Sequence, residues 1–359
     1  MINELVIHLG DNKTGSTSIQ QALVRNLCTT PGKSIYYPAN LNHNSLAQTL
    51  IKERLRGVRE DCFNALNQFF KKDESDYGIV SGEHFQKVDP QDLHDAIATY
   101  WPDLADRIRL IAYVRPHCDK MLSAFSENVK NGVNLQSMED LFDASGKSGV
   151  FDYTKRFGKW RQIFGDRFEL RPFVRENLFK GDVVADFFKY VLGNEDFTIT
   201  DTVSANKSMT ISQLAMLREM HTTLKQKIGG KKVEHFWTAR SELGRLLAEY
   251  LQMNGLGQDQ DKPRMPESLV APFIKRYGED AAALDAEFFD DTPMSDAMDA
   301  IHLKTISTEQ SQDAADYFHP DAIKSTQAFA NVLGDLFVQA PDEFKKAAVR
   351  ARVKIKTTA

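Results

Sequence analysis

The chain has 359 residues, of which 42% are hydrophobic and 26% are charged, and its formal net charge at pH 7 is −5. Such a chain can bury a large core, and because it lacks a global positive field we expect no nucleic-acid partner. Cys28, Cys62 and Cys118 lie too far apart for a close-paired zinc site or a disulfide framework, which favours a reducing compartment. With no basic, apolar leader and no apolar stretch of roughly 20 residues, the sequence predicts a cytoplasmic protein without a membrane span.

Short apolar segments in the first part of the chain predict β-strands. They are Leu5–Leu9, Ser34–Tyr37, Tyr77–Ser81, Arg107–Val114 and Arg167–Phe173. Segments with helical periodicity lie between them, and this alternation predicts an α/β protein with a parallel sheet flanked by helices. In such sheets ligands bind beyond the carboxyl ends of the strands, so the loops at those ends are the candidate site.

The second part of the chain has a different character. Beyond about residue 205 the strand signals fade and helical periodicity dominates. The sequence therefore predicts an α/β core over residues 1–205 and a mostly helical C-terminal extension over residues 206–359. Within this extension, Glu279–Asp299 is acidic and Lys345–Lys356 is basic. Both segments are expected to be solvated helix faces or frayed ends.

The loop after the first predicted strand has the glycine spacing of a phosphate-binding loop. Gly10, Gly15 and Thr17 keep the Walker A spacing, but Ser16 stands at the lysine position and the lysine comes earlier, as Lys13. This departure disfavours a nucleoside triphosphatase. The loop still predicts an anion cradle for a 5′-phosphate group, because it leads into a helix whose first turn offers N–H groups. Hydroxyl groups are offered by Thr14, Ser16, Thr17 and Ser18.

Two motifs together carry a family resemblance. HLGDNKTGSTSIQ, from His8 to Gln20, resembles the 5′-phosphosulfate loop of sulfotransferases that use 3′-phosphoadenosine-5′-phosphosulfate (PAPS). YVRPHCDKMLSAFSENVKNG resembles the 3′-phosphate motif of the same family, with Arg115 at a strand end and Ser123 in the next helix. A planar guanidinium can hold a terminal phosphate with two bonds. The alternative is that Arg115 pairs with a carboxylate such as Asp119 and that Ser123 is an ordinary helical residue.

Later segments extend this resemblance to the bacterial, carbohydrate-sulfotransferase-like branch. FDYTKRFGKWRQIFGDRFELRPF, NLFKGDVVADFFKYVLG and NKSMT are similar to its recurring elements, whereas His117 and Cys118 depart from its more usual pattern. The resemblance covers roughly residues 4–210. It implies a P-loop-like parallel sheet and PAPS as the donor, with no metal required. The implied donor-binding residues are Lys13, Thr14, Gly15, Ser16, Thr17, Ser18, Arg115 and Ser123.

The chemistry of sulfuryl transfer requires two further groups. In-line displacement at sulfur needs a base for the acceptor proton and a positive charge at the leaving phosphate oxygen. The resemblance assigns the charge to Lys13, whose alternative is a solvated surface lysine. For the base, IVSGEHF after the third predicted strand offers Glu83 and His84. Glu83 fits the bacterial pattern but needs a raised pKa, whereas His84 titrates near neutrality; either could otherwise only cap a helix.

The sequence thus predicts an enzyme that transfers the sulfuryl group from PAPS to a hydroxyl-bearing acceptor. The resemblance favours a carbohydrate or glycolipid as the acceptor. One alternative is a P-loop-type small-molecule kinase, which the missing Walker lysine disfavours. Another is a nucleotide-binding protein that has lost transfer activity. No arrangement of histidines and carboxylates in the sequence predicts a metal site.

Overall fold

The computed structural model describes residues 1–133, 137–201, 208–229, 236–258 and 260–358, with side chains through residue 351. Its strands are β1 (Glu4–His8), β2 (Cys28–Thr29), β3 (Ile35–Tyr36), β4 (Tyr77–Ser81), β5 (Ile108–Val114), β6 (Phe168–Pro172), β7 (Thr198–Ile199), β8 (Met265–Pro266) and β9 (Thr305–Ile306). Its α-helices are α1 (Ser16–Val24), α2 (Asn44–Ile51), α3 (Arg59–Lys72), α4 (Pro90–Tyr100), α5 (His117–Asn131), α6 (Met138–Ser148), α7 (Tyr153–Phe164), α8 (Val183–Leu192), α9 (Ile211–Ile228), α10 (Phe236–Met253), α11 (Val270–Phe288), α12 (Pro293–Asp299), α13 (Pro320–Gln339) and α14 (Pro341–Thr358). Short 3₁₀ helices cover Glu53–Val58, Glu83–Lys87, Pro102–Arg107, Gly165–Arg167, Arg175–Asn177, Phe179–Gly181, Glu267–Leu269, Ala300–Lys304 and Ala314–Asp316.

A parallel sheet of five strands, in the order β3-β4-β1-β5-β6, forms the centre of the α/β region. These are the strands that the sequence predicts, and every observed end lies within one residue of the predicted end. The predicted helix-flanked parallel sheet is therefore confirmed. Its strands are nearly continuous apolar runs because both faces of the sheet are buried.

Helices cover both faces of this sheet. The apolar residues of α1 and α8 form one core cluster with Val6 of β1 on the first face. On the other face, a Cβ added to Gly78 of β4 would lie 3.1 Å from the ring of Phe70 in α3, so that helix packs directly on the strand. Phe157 of α7 stacks on Phe168 of β6, with ring centroids 6.3 Å apart.

The strand order creates a topological switch point at the centre of the sheet. β1 is followed by α1 and then β3 on one side, whereas the neighbouring β5 leads to β6 on the other side. In open α/β sheets the loops diverge at such a point and leave a crevice beyond the carboxyl ends of the strands. The loop after β1 and the residues after β5 border this crevice, and they are the two segments that carry the predicted phosphate-binding motifs.

The chain divides into two compact units, each built from three separated segments. The first unit comprises Met1–His117, Val150–Ala205 and Tyr277–Asp299, and the second comprises Cys118–Gly149, Asn206–Arg276 and Ala300–Ala359. The first unit contains the parallel sheet. The division at residues 205 and 206 that the sequence suggests stays a prediction.

The second unit is mainly helical where the structure describes it. Between residues 208 and 358 the described strands are β8 and β9, which have two residues each. Buried residues of α9, α10 and α13, including Leu224, Leu243 and Phe337, form an apolar cluster of their own. In the part of the chain that the structure describes, no helix combines the length and apolar character needed to cross a bilayer.

Candidate functional site

The loop between β1 and α1 has an unusual backbone. Lys13 has a φ of 69° and Gly15 a φ of 78°, both in the left-handed region. Glycine is needed at position 15, because a Cβ there would lie 2.6 Å from Cγ1 of Val183. Lysine has no such freedom, and a positive φ at a non-glycine residue is uncommon and often marks a functional position. At Gly10 a Cβ would lie 3.2 Å from Cα of Glu83, so the loop lies close against the segment after β4.

Several hydrogen bonds of this loop are accepted by Asp11. Its carboxylate is buried and accepts hydrogen bonds from the backbone N–H of Asn12 at 2.7 Å and from Nη2 of Arg156 at 2.9 Å. Its carbonyl oxygen accepts hydrogen bonds from the hydroxyls of Thr14 at 2.8 Å and Ser16 at 3.3 Å. These two hydroxyls, which were predicted to bind the donor, therefore stabilise the loop itself. A ligand would contact the backbone of the loop instead.

Helix α1 begins at the end of the loop. Gly15 is its N-cap and provides no side-chain cap, so the N–H groups that precede Ser18 in the first turn point out of the helix end. Oγ1 of Thr17 donates a long hydrogen bond of 3.5 Å to Oε1 of Glu83, and the backbone N–H of Ser18 donates to the carbonyl of Gly15 at 2.9 Å. A helix start of this kind attracts anions.

Glu83 and His84 follow β4 at the start of a short 3₁₀ helix, and His84 has a defined hydrogen-bond network. Nζ of Lys52 donates to Oε1 of Gln48 at 3.0 Å. Because an ammonium group only donates, this contact fixes Oε1 as the acceptor, so Nε2 of Gln48 donates to Nδ1 of His84 at 2.9 Å. The proton of the neutral imidazole is then on Nε2. Burial and the charges of Lys87 and Lys52 lower the pKa of His84, which keeps the ring neutral.

Arg115 and Ser123 occupy the positions that the sequence predicts. Arg115 directly follows β5 and its guanidinium lies 4.8 Å from the centre of the Phe173 ring. Ser123 lies within α5 and is half-buried. Asp119, the alternative partner considered for Arg115, accepts a hydrogen bond from Nζ of Lys304 at 2.7 Å. Of the later motif NKSMT, the positions 206 and 207 lie outside the described residues.

His8, at the end of β1, is a buried structural residue. Its Nδ1 lies 2.9 Å from Oγ of Ser81, and that oxygen accepts a hydrogen bond from Nε2 of Gln20 at 3.1 Å. Complete burial lowers the pKa of His8 to about 3. His43 bonds through Nδ1 to the backbone N–H of Ser81 at 3.2 Å, and burial lowers its pKa to about 4, more than its hydrogen bonds raise it. Both rings are therefore neutral at physiological pH.

The acidic segment predicted to be a solvated face contributes the half-buried Asp280 and the buried Asp285, each bonded to a helix start, so that prediction is wrong for these two residues. Asp280 accepts the backbone N–H groups of Tyr153 at 2.9 Å and Thr154 at 3.1 Å, which caps α7. Nε2 of His117 lies 3.0 Å from the same carboxylate. Burial alone would raise the pKa of Asp280, but these hydrogen bonds outweigh it and lower the pKa.

Asp285 performs a similar task for α12, where it accepts the N–H groups of Met294 at 2.9 Å and Ser295 at 2.7 Å. Sequence reasoning missed Asp280, and it also missed Arg156, which reaches Asp11 from α7. The sequence carries no local signal for these pairs, because the partners are 127 and 145 residues apart.

No protein-family model, curated protein or solved structure matches this chain. The residues themselves therefore carry the functional argument. Lys13, Glu83 and Arg115 come from the loops that follow three adjacent strands, β1, β4 and β5. Such an arrangement can combine an anion site with a carboxylate and two cationic side chains at the carboxyl edge of the sheet.

Proposed function

We propose that the protein is a PAPS-dependent sulfotransferase with a P-loop-like core. The observation that carries this proposal is Lys13, which has a left-handed backbone conformation in a loop at the switch point of the sheet. Residues with strained backbones cluster at active sites, so this conformation at the sheet's switch point supports a functional role for Lys13. Lys13 also lies three residues before the position of a Walker lysine, which Ser16 occupies, and this departure disfavours a nucleoside triphosphate as the donor.

The donor has two charged ends, and each has a suitable partner. The N–H groups at the start of α1 suit the 5′-phosphosulfate, supported by the positive end of the helix dipole. Arg115, after β5, suits the 3′-phosphate because a guanidinium can bind two phosphate oxygens at once. Ser123 follows on α5 as the second proposed donor to that phosphate.

The hydrogen bonds of His84 favour Glu83 as the base. A base must accept a proton, but Nδ1 of His84 already accepts a hydrogen bond from Gln48, and Nε2 carries the proton. Glu83 starts the 3₁₀ helix after β4, and its Oε1 lies 3.5 Å from the hydroxyl of Thr17 on the helix that bears the anion site. Glu83 is therefore the better placed acceptor for the proton of an incoming hydroxyl.

The proposed reaction is a single in-line displacement at sulfur. Glu83 takes the acceptor proton while the acceptor oxygen forms a bond to sulfur. The bond between sulfur and the bridging oxygen of the donor breaks, and adenosine 3′,5′-bisphosphate leaves. Lys13 stabilises the negative charge that develops on the 5′-phosphate oxygen of this leaving bisphosphate. By analogy with the resemblance, the acceptor is a hydroxyl of a carbohydrate or glycolipid.

A thermal-shift experiment separates this proposal from the kinase alternative. Adenosine 3′,5′-bisphosphate, 5′-AMP and ATP with magnesium would each be added to the protein, because a ligand of the folded state raises its melting temperature. We expect stabilisation by the 3′,5′-bisphosphate and little by the other two. The Arg115→Ala variant should lose roughly 2 to 4 kcal/mol of this binding, since it truncates a charged contact. A response to ATP with magnesium alone would contradict the proposal and favour a kinase.

A further inference from the structure

A buried carboxylate stands inside the proposed anion loop. The side chain of Asp11 is 2% exposed, and its carbonyl and carboxylate oxygens organise the residues that lead to α1. A negative charge at this position repels a phosphosulfate. The repulsion is stronger in such a poorly solvated site than in water, because the effective dielectric constant is lower. A positive charge next to Asp11 would offset this repulsion.

Arg156 supplies a positive charge at Asp11. Its Nη2 lies 2.9 Å from Oδ2 of Asp11, and its side chain is 18% exposed. The guanidinium lies over the rings of Phe157 at 4.5 Å and Tyr153 at 5.4 Å. Tyr153 begins α7, where its N–H is bonded to Asp280. Arg156 thus lies on a capped helix and contacts two aromatic rings.

We propose that Arg156 is a positioning residue that neutralises Asp11 and thereby makes the loop after β1 an anion-binding site. With Asp11 neutralised, the hydroxyls of Thr14 and Ser16 remain bonded to its carbonyl, and the N–H groups at the start of α1 stay available to the ligand. This inference rests on the proposed function only in that the ligand is the donor's 5′-phosphosulfate. It assigns Arg156 no contact with substrate.

The test measures the binding of adenosine 3′,5′-bisphosphate to four proteins by calorimetry. They are wild type, Arg156→Met, Asp11→Asn and the double variant. Methionine retains packing between the aromatic rings while removing the charge. We expect Arg156→Met to bind at least about tenfold more weakly than wild type, because it removes a positive charge 2.9 Å from the Asp11 carboxylate and so increases the repulsion of the anion. The double variant, which lacks both charges, should bind within about threefold of wild type.

Rescue separates an electrostatic role from a structural one. A residue that only supports the loop would weaken binding in Arg156→Met, and Asp11→Asn would not restore it; that result overturns the inference. Unchanged binding by Arg156→Met overturns it as well. Arg161→Met is the matched control, since Arg161 lies on the same helix over the ring of Phe288 at 5.2 Å. This variant should bind the bisphosphate as tightly as wild type does.

Two further outcomes are distinguishable. Failure of wild type to bind the bisphosphate overturns the proposed function and this inference together, whereas normal wild-type binding with no rescue overturns the inference alone. Melting curves show whether each variant is folded. If Arg156→Met does not fold, Arg156→Lys replaces it, and we expect it to keep the charge and bind within about tenfold of wild type. Loss beyond that range overturns the charge-based role.

Discussion

Titratable side chains are buried both in the loop after β1 and in the helix junction around Gly132 of the second unit. The partners of these side chains differ between the two regions. In the loop, the Asp11 carboxylate is bonded to the Arg156 guanidinium, an ion pair between opposite charges. At the junction, Arg240 donates through Nη2 to the carbonyl of Gly132, and its guanidinium lies 4.5 Å from the ring of Trp237. The second arginine is therefore held by a carbonyl and an aromatic face rather than by a carboxylate.

The helix junction is also tightly packed around its glycines. A Cβ on Gly132 would lie 2.8 Å from both Nε of Arg240 and Nδ1 of His221, and a Cβ on Gly244 would lie 1.9 Å from the carbonyl oxygen of Lys130. His221 donates to that carbonyl at 3.0 Å, and burial is the main cause that lowers its pKa to about 4. The junction is closely packed at both glycines, which favours a structural role for its buried side chains.

The comparison teaches that burial of charged or titratable groups does not by itself mark a functional site. What separates the loop is its place at the carboxyl edge of a parallel sheet and its left-handed lysine. Changes in the loop region are therefore expected to alter chemistry, and changes at the junction to alter stability. Three substitutions test this division.

The largest effect is expected at the candidate base. Glu83→Gln keeps the size of the side chain and removes its ability to take a proton, so turnover should fall by roughly 10² to 10⁴, the range of general-base catalysis. The measurement is release of adenosine 3′,5′-bisphosphate from PAPS with a carbohydrate acceptor found by screening. Affinity for the bisphosphate should stay near the wild-type value.

His84→Gln is the matched control, because glutamine places an N–H donor close to the position of Nε2. We expect it to lose less than about tenfold in turnover, since the assigned tautomer makes His84 a donor and not a base. The reverse pattern, with the larger loss at His84, would transfer the base role to that residue. It would also contradict the proton assignment through Lys52 and Gln48.

An intermediate effect is expected at the helix junction. Gly244→Ala places a methyl group on the backbone carbonyl of Lys130, which cannot move without displacing α5. The free energy of unfolding should therefore fall by about 3 kcal/mol, at the upper end for overpacked positions. Chemical denaturation measures it, and bisphosphate affinity below the transition should be unchanged.

Gly57→Ala is the control for this substitution, because a Cβ at Gly57 has no neighbour within 4 Å. Its stability should differ from wild type by less than about 0.5 kcal/mol, as for ordinary surface changes. If Gly244→Ala were equally neutral, the junction would not be closely packed, and its buried histidine and arginine would need another explanation.

The sequence predicted the sheet well because its strands are short apolar runs, and burial on both faces requires that composition. It also predicted that Lys13, Glu83 and Arg115 lie just beyond the carboxyl ends of strands, since each directly follows or lies close to the end of a predicted strand. The contacts of Asp280 and Arg156 were not predictable, because each joins distant segments of the chain that no local pattern connects. The tautomer of His84 likewise depends on Gln48 and Lys52 in another helical segment.

The smallest effect is expected from Lys13→Gly, which tests why a lysine has a left-handed conformation. That conformation costs a side-chain-bearing residue roughly 1 to 2 kcal/mol, and glycine avoids the cost. Glycine also gains freedom in the unfolded chain, so the net stability gain should be between zero and about 1 kcal/mol. Lys180→Gly is the matched control, because Lys180 has a φ of 56° and lies outside the loop.

Chemical denaturation of both variants decides whether the backbone at Lys13 is strained. A gain in both indicates that each lysine persists despite a backbone cost, so the backbone at Lys13 is strained. A clear loss for Lys13→Gly, with a gain for Lys180→Gly, would show that contacts of the Lys13 side chain stabilise the fold. Lys13 would then stabilise the fold, as the residues of the helix junction do. The distinction between a chemical loop and a structural junction would be contradicted at the residue on which it depends most.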